Sequence, residues 1–267
     1  MVKGAVNDVL CESGIRRYLK TDGLELRVYP TITSTNTVLK QLAAEGASEG
    51  LVLLAGEQTQ GKGRMGRSFY SPPDTGLYMS VLLRPAFSAS QAVKITACAA
   101  VAAAEAIEAL SGCDTQIKWV NDILIGGKKV CGILTEAAMD RESGMMDHVV
   151  VGIGVNTALP AGDFPEELRS VAGAVSGDTI IPELRCRMAA EILDRLMTYY
   201  GDLGSEHCYT AYRRRSVVLH KPVNIFPPGR EGIPAKVLDI DRDFSLLVRL
   251  EDGSTRRINS GEVSIRL

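Results

Sequence analysis

The sequence has few of the residues and patterns that build redox, metal or membrane sites. None of its six cysteines lies in a C-x-x-C pair, which argues against zinc and dithiol centres. The most apolar stretch, residues 95–110, is too short for a bilayer and contains Glu105 and Glu108. The first residues do not form a cationic start with an apolar core, so we expect no secretory signal. Scattered free thiols then favour a reducing cytoplasm.

The sequence also lacks a large excess of charge of either sign. The formal net charge is −2 and no block of like charge stands out, so electrostatics give no reason to expect nucleic acid as a partner. Apolar residues make up 45% and charged residues 23% of the chain, which is ordinary for a globular protein. The 267 residues are enough for one sizeable domain and one small one.

Hydrophobic periodicity predicts an α+β fold. Strand patterns cover residues 26–29, 50–55, 76–83, 115–120, 123–125, 129–137 and 148–155. Helical patterns cover residues 37–45, a long stretch that Ser88 or Ser90 can cap and that ends near residue 110, and residues 182–200. We expect a mixed central sheet whose helices cover one face. Gly126-Gly127 predicts a hairpin turn.

The chain divides into three predicted segments. Residues 1–23 resemble a short helical arm, and residues 24–215 hold the mixed sheet. From residue 216 the hydrophobic pattern changes and predicts only short strands, over residues 217–219, 223–226, 235–240, 246–250, 255–258 and 263–265. The strong hairpin signal at residues 251–254 and the shortness of these strands predict a small β-barrel.

A glycine-rich, cationic segment follows the second predicted strand, at residues 56–67. It nearly fits a P-loop, but Gly63 stands where that loop needs Ser or Thr. It also fits G-x-G-x-x-G, but Pro72 and Pro73 deny the helix that a dinucleotide site requires. Glycine lets backbone approach a ligand, and lysine and arginine attract anions. The segment therefore predicts a different kind of phosphate-handling site, against the alternative of a solvated basic loop.

A second informative segment is residues 117–123, which read Ile-Lys-Trp-Val-Asn-Asp-Ile. Unpaired buried charge is costly, so Lys118, Asn121 and Asp122 are expected to pair, contact a ligand or lie at a strand end. A structural Asn-Asp turn is the alternative for this segment taken alone.

Four motifs together resemble the biotin–protein ligase family. They are Ser34-Thr35-Asn36, the run from residue 57 to residue 67, the run from residue 117 to residue 136, and residues 152–156, in the family's order and spacing. The short β tail matches the family's C-terminal domain. The resemblance covers residues 24–267 and implies a catalytic fold like that of class II synthetases, followed by an SH3-like barrel.

The resemblance implies a two-step reaction and assigns residues to it. Biotin and ATP give biotinyl-5′-adenylate, and the biotinyl group then passes to one lysine of a biotin carboxyl carrier protein. Implied biotin-binding residues are Ser34, Thr35, Asn36, Gln58, Gly61, Lys62, Gly63, Arg64 and Lys129. Implied ATP-binding residues are Arg64, Arg67, Phe69, Lys118, Asn121, Asp122 and Asn156. Arg64, Lys129 and Asp122 are the implied catalytic residues.

Several points stay open at this stage. Magnesium is expected to enter on the ATP phosphates, and Asp122 would either hold it or orient the carrier lysine. Lys62 and Val120 stand where many family members have arginine and proline. We expect no DNA-binding domain, while a monomer and a homodimer are both compatible with the sequence. A lipoate ligase or octanoyltransferase of the same superfamily, and a non-catalytic sensor of biotinyl-adenylate, are the competing functions.

Overall fold

The computed structural model describes residues 8–86, 92–140, 146–177, 181–226, 232–259 and 262–265. Its helices are α1 (Glu12–Arg16), α2 (Thr35–Ala44), α3 (Ala92–Ser111), α4 (Glu166–Arg169), α5 (Leu184–Gly201) and α6 (Glu206–Arg215). Its strands are β1 (Glu25–Ile32), β2 (Leu51–Gln58), β3 (Gly76–Leu83), β4 (Gln116–Lys118), β5 (Asp122–Ile125), β6 (Lys128–Met139), β7 (Met146–Asn156), β8 (Pro222–Phe226), β9 (Ile233–Ile240), β10 (Leu246–Leu250), β11 (Thr255–Ile258) and β12 (Glu262–Ile265).

The first seven strands form one mixed sheet in the order β1-β2-β3-β7-β6-β5-β4. Strands β1 and β2 are parallel, as a crossover through α2 requires. The other neighbours are antiparallel. Gly126 and Gly127 join β5 to β6 with φ of +56° and +79°, the backbone of a tight hairpin turn. The predicted α+β class and this hairpin are confirmed.

Helices cover both faces of this sheet, unequally. Val52, Val81 and Val151 belong to the main core, which includes α3 and α5. The intervening residues point the other way because side chains alternate along a strand. Those residues pack with Leu39 and Ala43 of α2. The expectation that helices cover one face is therefore wrong, because the short α2 adds a second, partial layer. The part of this face that α2 leaves uncovered holds the candidate site.

Helix α3 is the centre of the main core. From Ile95 to Ile107 nearly all its residues are buried, and most of them are alanines. Small side chains let α3 lie close to α5 and to the sheet at native packing density, and α3 contacts α5, α6 and β6. The alanine-rich run is thus a buried helix, and across the described residues no helix has the length and apolarity to cross a bilayer.

The last five strands form a separate antiparallel sheet in the order β11-β10-β9-β8-β12. Its interior includes Val223, Val237 and Val248, which are fully buried. The predicted strand at residues 217–219 is wrong: this segment is a bend, anchored where Val217 N donates to Ile117 O. The polar helix α6 before it was not predicted, because its sequence EHCYTAYRRR carries no continuous apolar stripe.

The predicted N-terminal arm is helical over a single short element. Helix α1 spans five residues, and Ile15 buries its side chain completely. Arg185 of α5 holds the start of the arm through Asp8. Residues 1–7 of the predicted arm lie outside the described residues.

Candidate active site

The cleft has a floor of bare backbone. Gly132 of β6 lies directly opposite Gly154 of β7, and Gly154 lies opposite Tyr78 of β3. A Cβ on Gly154 would lie 2.7 Å from the Phe69 ring, and one on Gly132 would lie 2.9 Å from Lys129 Cε. Both distances are shorter than a carbon contact allows. A side chain at Gly154 would displace the Phe69 ring, and one at Gly132 would displace the end of Lys129, because both side chains rest on the sheet there.

A polar wall stands at one end of the cleft. Gln58 Oε1 accepts from Thr35 N at 2.9 Å and lies 3.1 Å from Thr35 Oγ1. Gln58 Nε2 donates to Ser71 Oγ at 3.0 Å. Ser34 starts α2, where its hydroxyl accepts from Thr37 N. The predicted residues Ser34, Thr35 and Gln58 therefore meet at the start of α2 and the end of β2, and all line the cleft.

A buried network holds this wall from behind. Ser80 Oγ lies 2.7 Å from Thr35 Oγ1 and 2.6 Å from Asn36 Oδ1. Asn36 Nδ2 donates to Glu136 Oε2 at 3.0 Å, and Lys40 Nζ lies 2.7 Å from Glu136 Oε1. Burial raises the pKa of Glu136, but the hydrogen bonds from Lys40 and Asn36 outweigh it, so its pKa is lowered overall. Glu136 therefore stays a carboxylate and fixes the amide of Asn36.

The glycine-rich segment folds as a small hairpin across the cleft. Phe69 N donates to Gly61 O and Gly63 N donates to Arg67 O, and residues 64–66 make one 3₁₀ turn. Gly61 is packed so tightly that a Cβ would lie 2.3 Å from Phe69 O. This conformation has no helix after the glycines, which confirms that the segment is neither a P-loop nor a dinucleotide fingerprint.

Phe69 lies inside the cleft, over the glycine floor and edge-on to Tyr78 at 6.4 Å between ring centroids. Burial raises the pKa of Tyr78 to about 12, so Tyr78 is neutral, and its hydroxyl donates to Pro72 O. The free space beside Phe69 is about 30 Å³, enough for a few waters at most. A bicyclic ligand needs more room than this, so its entry requires the Phe69 ring to move.

Two cations from distant parts of the chain meet at adjacent residues. Arg64 Nη1 donates to Asn121 Oδ1 at 2.9 Å, and Lys129 Nζ lies 2.7 Å from Asp122 Oδ1. Lys129 also lies 5.9 Å from the centroid of the Phe69 ring. Asn121 is itself fixed, because its Nδ2 donates to Ile133 O at 2.8 Å. The arrangement brings two cationic side chains to adjacent residues, with Lys129 next to Gly132 of the floor, and such cations attract an anion.

The remaining predicted residues take different positions. Lys62 lines the cleft, whereas Arg67 is exposed. Lys118 ends β4 opposite Asp122. Asn156 is buried and its Nδ2 donates to Gly173 O, which is a structural contact. Among the described residues, no three His, Cys, Asp or Glu side chains form a group able to hold a metal ion.

Several neighbours of the cleft carried no signal in the sequence. Ser71 and Ser80 support the wall, yet each comes from a part of the chain that no motif marked. Glu136 ends the third motif, but the motif gave it no role. The segment after β7 was also missed: Lys129 N donates to Val171 O, and Gly173 N donates to Lys129 O. Residues 171–173 therefore fix the backbone on both sides of the lysine.

Comparisons with known proteins agree with this geometry. Residues 28–156 match the biotin/lipoate A/B protein ligase family, and residues 221–266 match the biotin protein ligase C-terminal domain. The chain is 43% identical to the bifunctional ligase/repressor BirA of Bacillus spizizenii, over 96% of this chain and 79% of that protein. It is 29% identical to the biotin–[acetyl-CoA-carboxylase] ligase of Mycobacterium tuberculosis, over 90% of this chain and 88% of that protein.

A solved structure gives the same result. The biotin protein ligase of Aquifex aeolicus in complex with biotin and ATP superposes with a TM-score of 0.70 and 26% identity, covering 91% of this chain and 98% of that chain. Fold, sequence and the cleft with its two converging cations agree, and this chain belongs to the biotin protein ligase family.

Proposed function

We propose that this protein is an ATP-dependent biotin–[acetyl-CoA-carboxylase] ligase. One observation carries the proposal: Arg64 and Lys129 are held by the adjacent residues Asn121 and Asp122, beside a cleft whose far end is the polar wall. Biotin is apolar between two polar ends, and the lining of this cleft likewise adds the apolar side chains of Phe69, Leu134 and Ile153 to the polar wall.

The first half-reaction joins two anions. A biotin carboxylate oxygen attacks the α-phosphorus of ATP, a C–O–P linkage forms, and the bond from that phosphorus to pyrophosphate breaks. The carboxylate and the phosphates repel each other, so their approach needs positive charge between them. Arg64 and Lys129 supply that charge and stabilise the negative charge that builds on the α-phosphate.

The polar wall is proposed to bind the ureido ring of biotin. A cyclic urea presents one carbonyl acceptor and two N–H donors. Ser34 and Thr35 offer hydroxyls, and Gln58 offers an amide, all lining the cleft. Because Ser80, itself bonded to Asn36, holds Thr35 from behind, the Thr35 hydroxyl is preorganised for the ring.

The nucleotide side is proposed to include Arg67, Phe69, Lys118, Asn121 and Asp122. Phe69 lies over the glycine floor and near Lys129, which supports its proposed position at the boundary between biotin and nucleotide. Magnesium, entering on the ATP phosphates, would neutralise the pyrophosphate leaving group. Asp122 and the phosphates are the oxygen ligands that suit this ion.

In the second half-reaction, a lysine amine of the carrier domain attacks the biotinyl carbonyl and AMP leaves. The carrier domain of an acyl-CoA carboxylase is the proposed acceptor. The proposal covers ligation only. The repressor function named for the Bacillus relative is not extended to this chain, because the match spans 79% of that protein.

Biotin-dependent ATP–pyrophosphate exchange tests the proposal, followed by mass spectrometry of a carrier domain incubated with protein, biotin and ATP. We expect exchange with biotin and a mass increase on one carrier lysine. Exchange that depends on lipoate instead, or transfer from an octanoyl donor, would assign the protein to the other branches of the family. Tight binding of biotinyl-adenylate with no carrier labelling would make it a sensor.

A further inference from the structure

The turn between β9 and β10 reaches out of the C-terminal sheet into the larger domain. Phe244 in this turn is 2% exposed. Its ring lies edge-on to Tyr212 and Tyr209 of α6, with centroids 5.1 and 6.1 Å apart. Phe244 also has a φ of +60°, a left-handed conformation that bulky residues rarely adopt. The aromatic ring is thus placed against α6 at a position where the backbone itself disfavours it.

Two hydrogen bonds connect this aromatic cluster to the segment before Asn121. Trp119 Nε1 donates to Phe244 O at 2.7 Å, and Tyr212 Oη donates to Val120 O at 3.2 Å. Trp119 is 3% exposed and Tyr212 is fully buried, so water does not compete for either bond. The backbone carbonyl of Phe244 therefore holds residue 119, and the side chain of Tyr212 holds residue 120.

The turn itself is braced. Asp241 Oδ1 accepts from Asp243 N at 2.9 Å and from Ser245 N at 3.1 Å. Lys94 of α3 pairs with Asp243 at 3.0 Å. The carbonyl of Phe244 cannot shift without breaking these contacts, so the turn fixes the position of the Trp119 indole.

The next two residues along the chain are the ones that hold the reactive cations. Asn121 accepts from Arg64, and Asp122 pairs with Lys129. We propose that Phe244 is a positioning residue for adenylation: through Trp119 and Tyr212 it sets the place of Asn121 and Asp122, and so of both cations. This inference rests on the proposed function and gives the C-terminal sheet a part in the first half-reaction.

The polar wall has separate supports. Thr35, Asn36 and Gln58 are fixed by Ser80, Glu136 and Ser71, none of which touches the aromatic cluster. Loosening Phe244 should therefore slow adenylation and leave the affinity for biotin alone nearly unchanged. A general loss of structure would weaken both.

Three variants test this. Phe244→Gly removes the ring while glycine accepts the left-handed backbone. Tyr212→Phe removes one hydrogen-bond donor and keeps the ring. Trp119→Phe removes the other donor and replaces the indole with a smaller phenyl ring. We expect the kcat of biotin-dependent pyrophosphate exchange to fall about 10²-fold in Phe244→Gly, the scale of a small misplacement of reacting groups, and by about tenfold in the milder variants. Biotin binding by calorimetry should change less than about threefold.

Two controls separate positioning from stability. Leu247→Ala removes a partly exposed side chain on β10, in the same sheet as the cluster, and should leave exchange unchanged. Trp119 is the single tryptophan of the chain, so its fluorescence reports on the cluster directly. Emission from Phe244→Gly should shift to longer wavelength as the indole gains contact with water.

The outcomes are distinct. If wild-type protein shows no biotin-dependent exchange, the proposed function fails. If wild-type protein is active and all three variants match it, the positioning role of Phe244 is overturned. Equal losses of biotin affinity and of exchange rate would also overturn it, because a structural role alone predicts that pattern. Selective loss of exchange, with biotin binding kept, supports it.

Discussion

At the scale of single residues, Lys129 is the cation whose role is most open to test. We expect Lys129→Ala to slow adenylation about 10²-fold, the loss typical of one electrostatic stabiliser, with little change in the melting temperature. Exchange kinetics and thermal unfolding measure the two effects. Lys128→Ala is the matched control, because the neighbouring lysine is exposed. An unchanged rate for Lys129→Ala would remove this residue from the chemistry.

Gly152 is a second residue with a defined consequence. A Cβ at this position would lie 2.1 Å from Asn36 Oδ1, and Asn36 is held in place by Ser80 and Glu136. We therefore expect Gly152→Ala to destabilise the protein by about 1–3 kcal/mol and to weaken biotin binding. Gly201→Ala is the control, since nothing lies within 4 Å of its added Cβ. Denaturant unfolding and calorimetry compare the two, and equal stabilities would contradict the crowding.

Sequence patterns predicted which residues meet at the site better than they predicted what supports them. The motifs containing Thr35, Gln58 and Lys129 identified residues that the structure brings together. They did not include Ser80 and assigned no role to Glu136, because each acts on a residue more than 40 positions away. Long-range polar contacts of this kind depend on strand register, which a single sequence does not fix.

At the scale of secondary-structure elements, the joint between α3 and α6 depends on an ion pair. Glu108 accepts hydrogen bonds from Arg215 Nε at 2.9 Å and from Thr115 Oγ1 at 2.6 Å, and the Arg215 side chain is 5% exposed. Without Glu108, the buried Arg215 guanidinium keeps, among the described residues, only the more distant carboxylate of Glu105, at 3.9 Å, and a poorly paired buried charge is costly. We expect Glu108→Gln to lower the free energy of unfolding by about 3 kcal/mol. Glu206→Gln, which breaks an exposed pair with Arg242, should cost less than about 1 kcal/mol.

The same pair predicts a pH dependence. Burial raises the pKa of Glu108, but hydrogen bonds from Arg215 and Thr115 outweigh it and lower the pKa overall. A carboxyl whose pKa is lower in the folded state stabilises the protein above its unfolded pKa of about 4.3, and loses that contribution as the pH falls through the folded value. The difference in unfolding free energy between wild type and Glu108→Gln should be flat above about pH 5.5 and shrink below it. A difference that grows on acidification would contradict this.

The glycine-rich hairpin over residues 60–71 should be the element that responds most to ligand. Its backbone is held by few internal hydrogen bonds, and Phe69 must move to admit biotin, so we expect fast amide exchange without ligand. Hydrogen exchange in residues 60–71 should slow when biotin and ATP are added together. The β5–β6 hairpin at Gly126 and Gly127 is the internal control. Equal amide hydrogen exchange in residues 60–71 with and without ligands would contradict this expectation.

At the scale of the whole molecule, the ligands should stabilise the fold because the cleft joins α2, β2, β6 and β7. A ligand that binds only the folded state at 100 times its Kd adds about 2.7 kcal/mol. For a chain of this size, that raises the melting temperature by roughly 5–10 °C. We expect biotin with ATP to raise it more than biotin alone, and lipoate to have no effect. Scanning calorimetry measures all three, and equal shifts for biotin and lipoate would contradict the proposed specificity.

The fold class and the division into a mixed sheet and a β tail followed from the hydrophobic pattern, because β2, β3 and β7 are continuous apolar runs and the tail strands β8 and β10 alternate. The boundaries of helices and strands, and the face of the sheet that each helix covers, were harder to predict. Helix α6 was missed because few of its residues are apolar, and its buried face includes Arg215 from the arginine run that ends it. The second layer formed by α2 was also missed, since the fully buried β3 does not reveal from its sequence which face carries which helix. The domain limits at residues 23 and 215 stay a prediction.

The facing pair Gly132 and Gly154 has a consequence for engineering. Any replacement of either glycine adds a side chain to this surface and crowds Phe69 or Lys129. Substitutions at Gly132 and Gly154 would favour a smaller biotin analogue. A larger analogue needs smaller side chains on α2 or β2. Substitutions at the glycine floor can therefore only narrow the cleft, and substitutions on α2 or β2 can widen it.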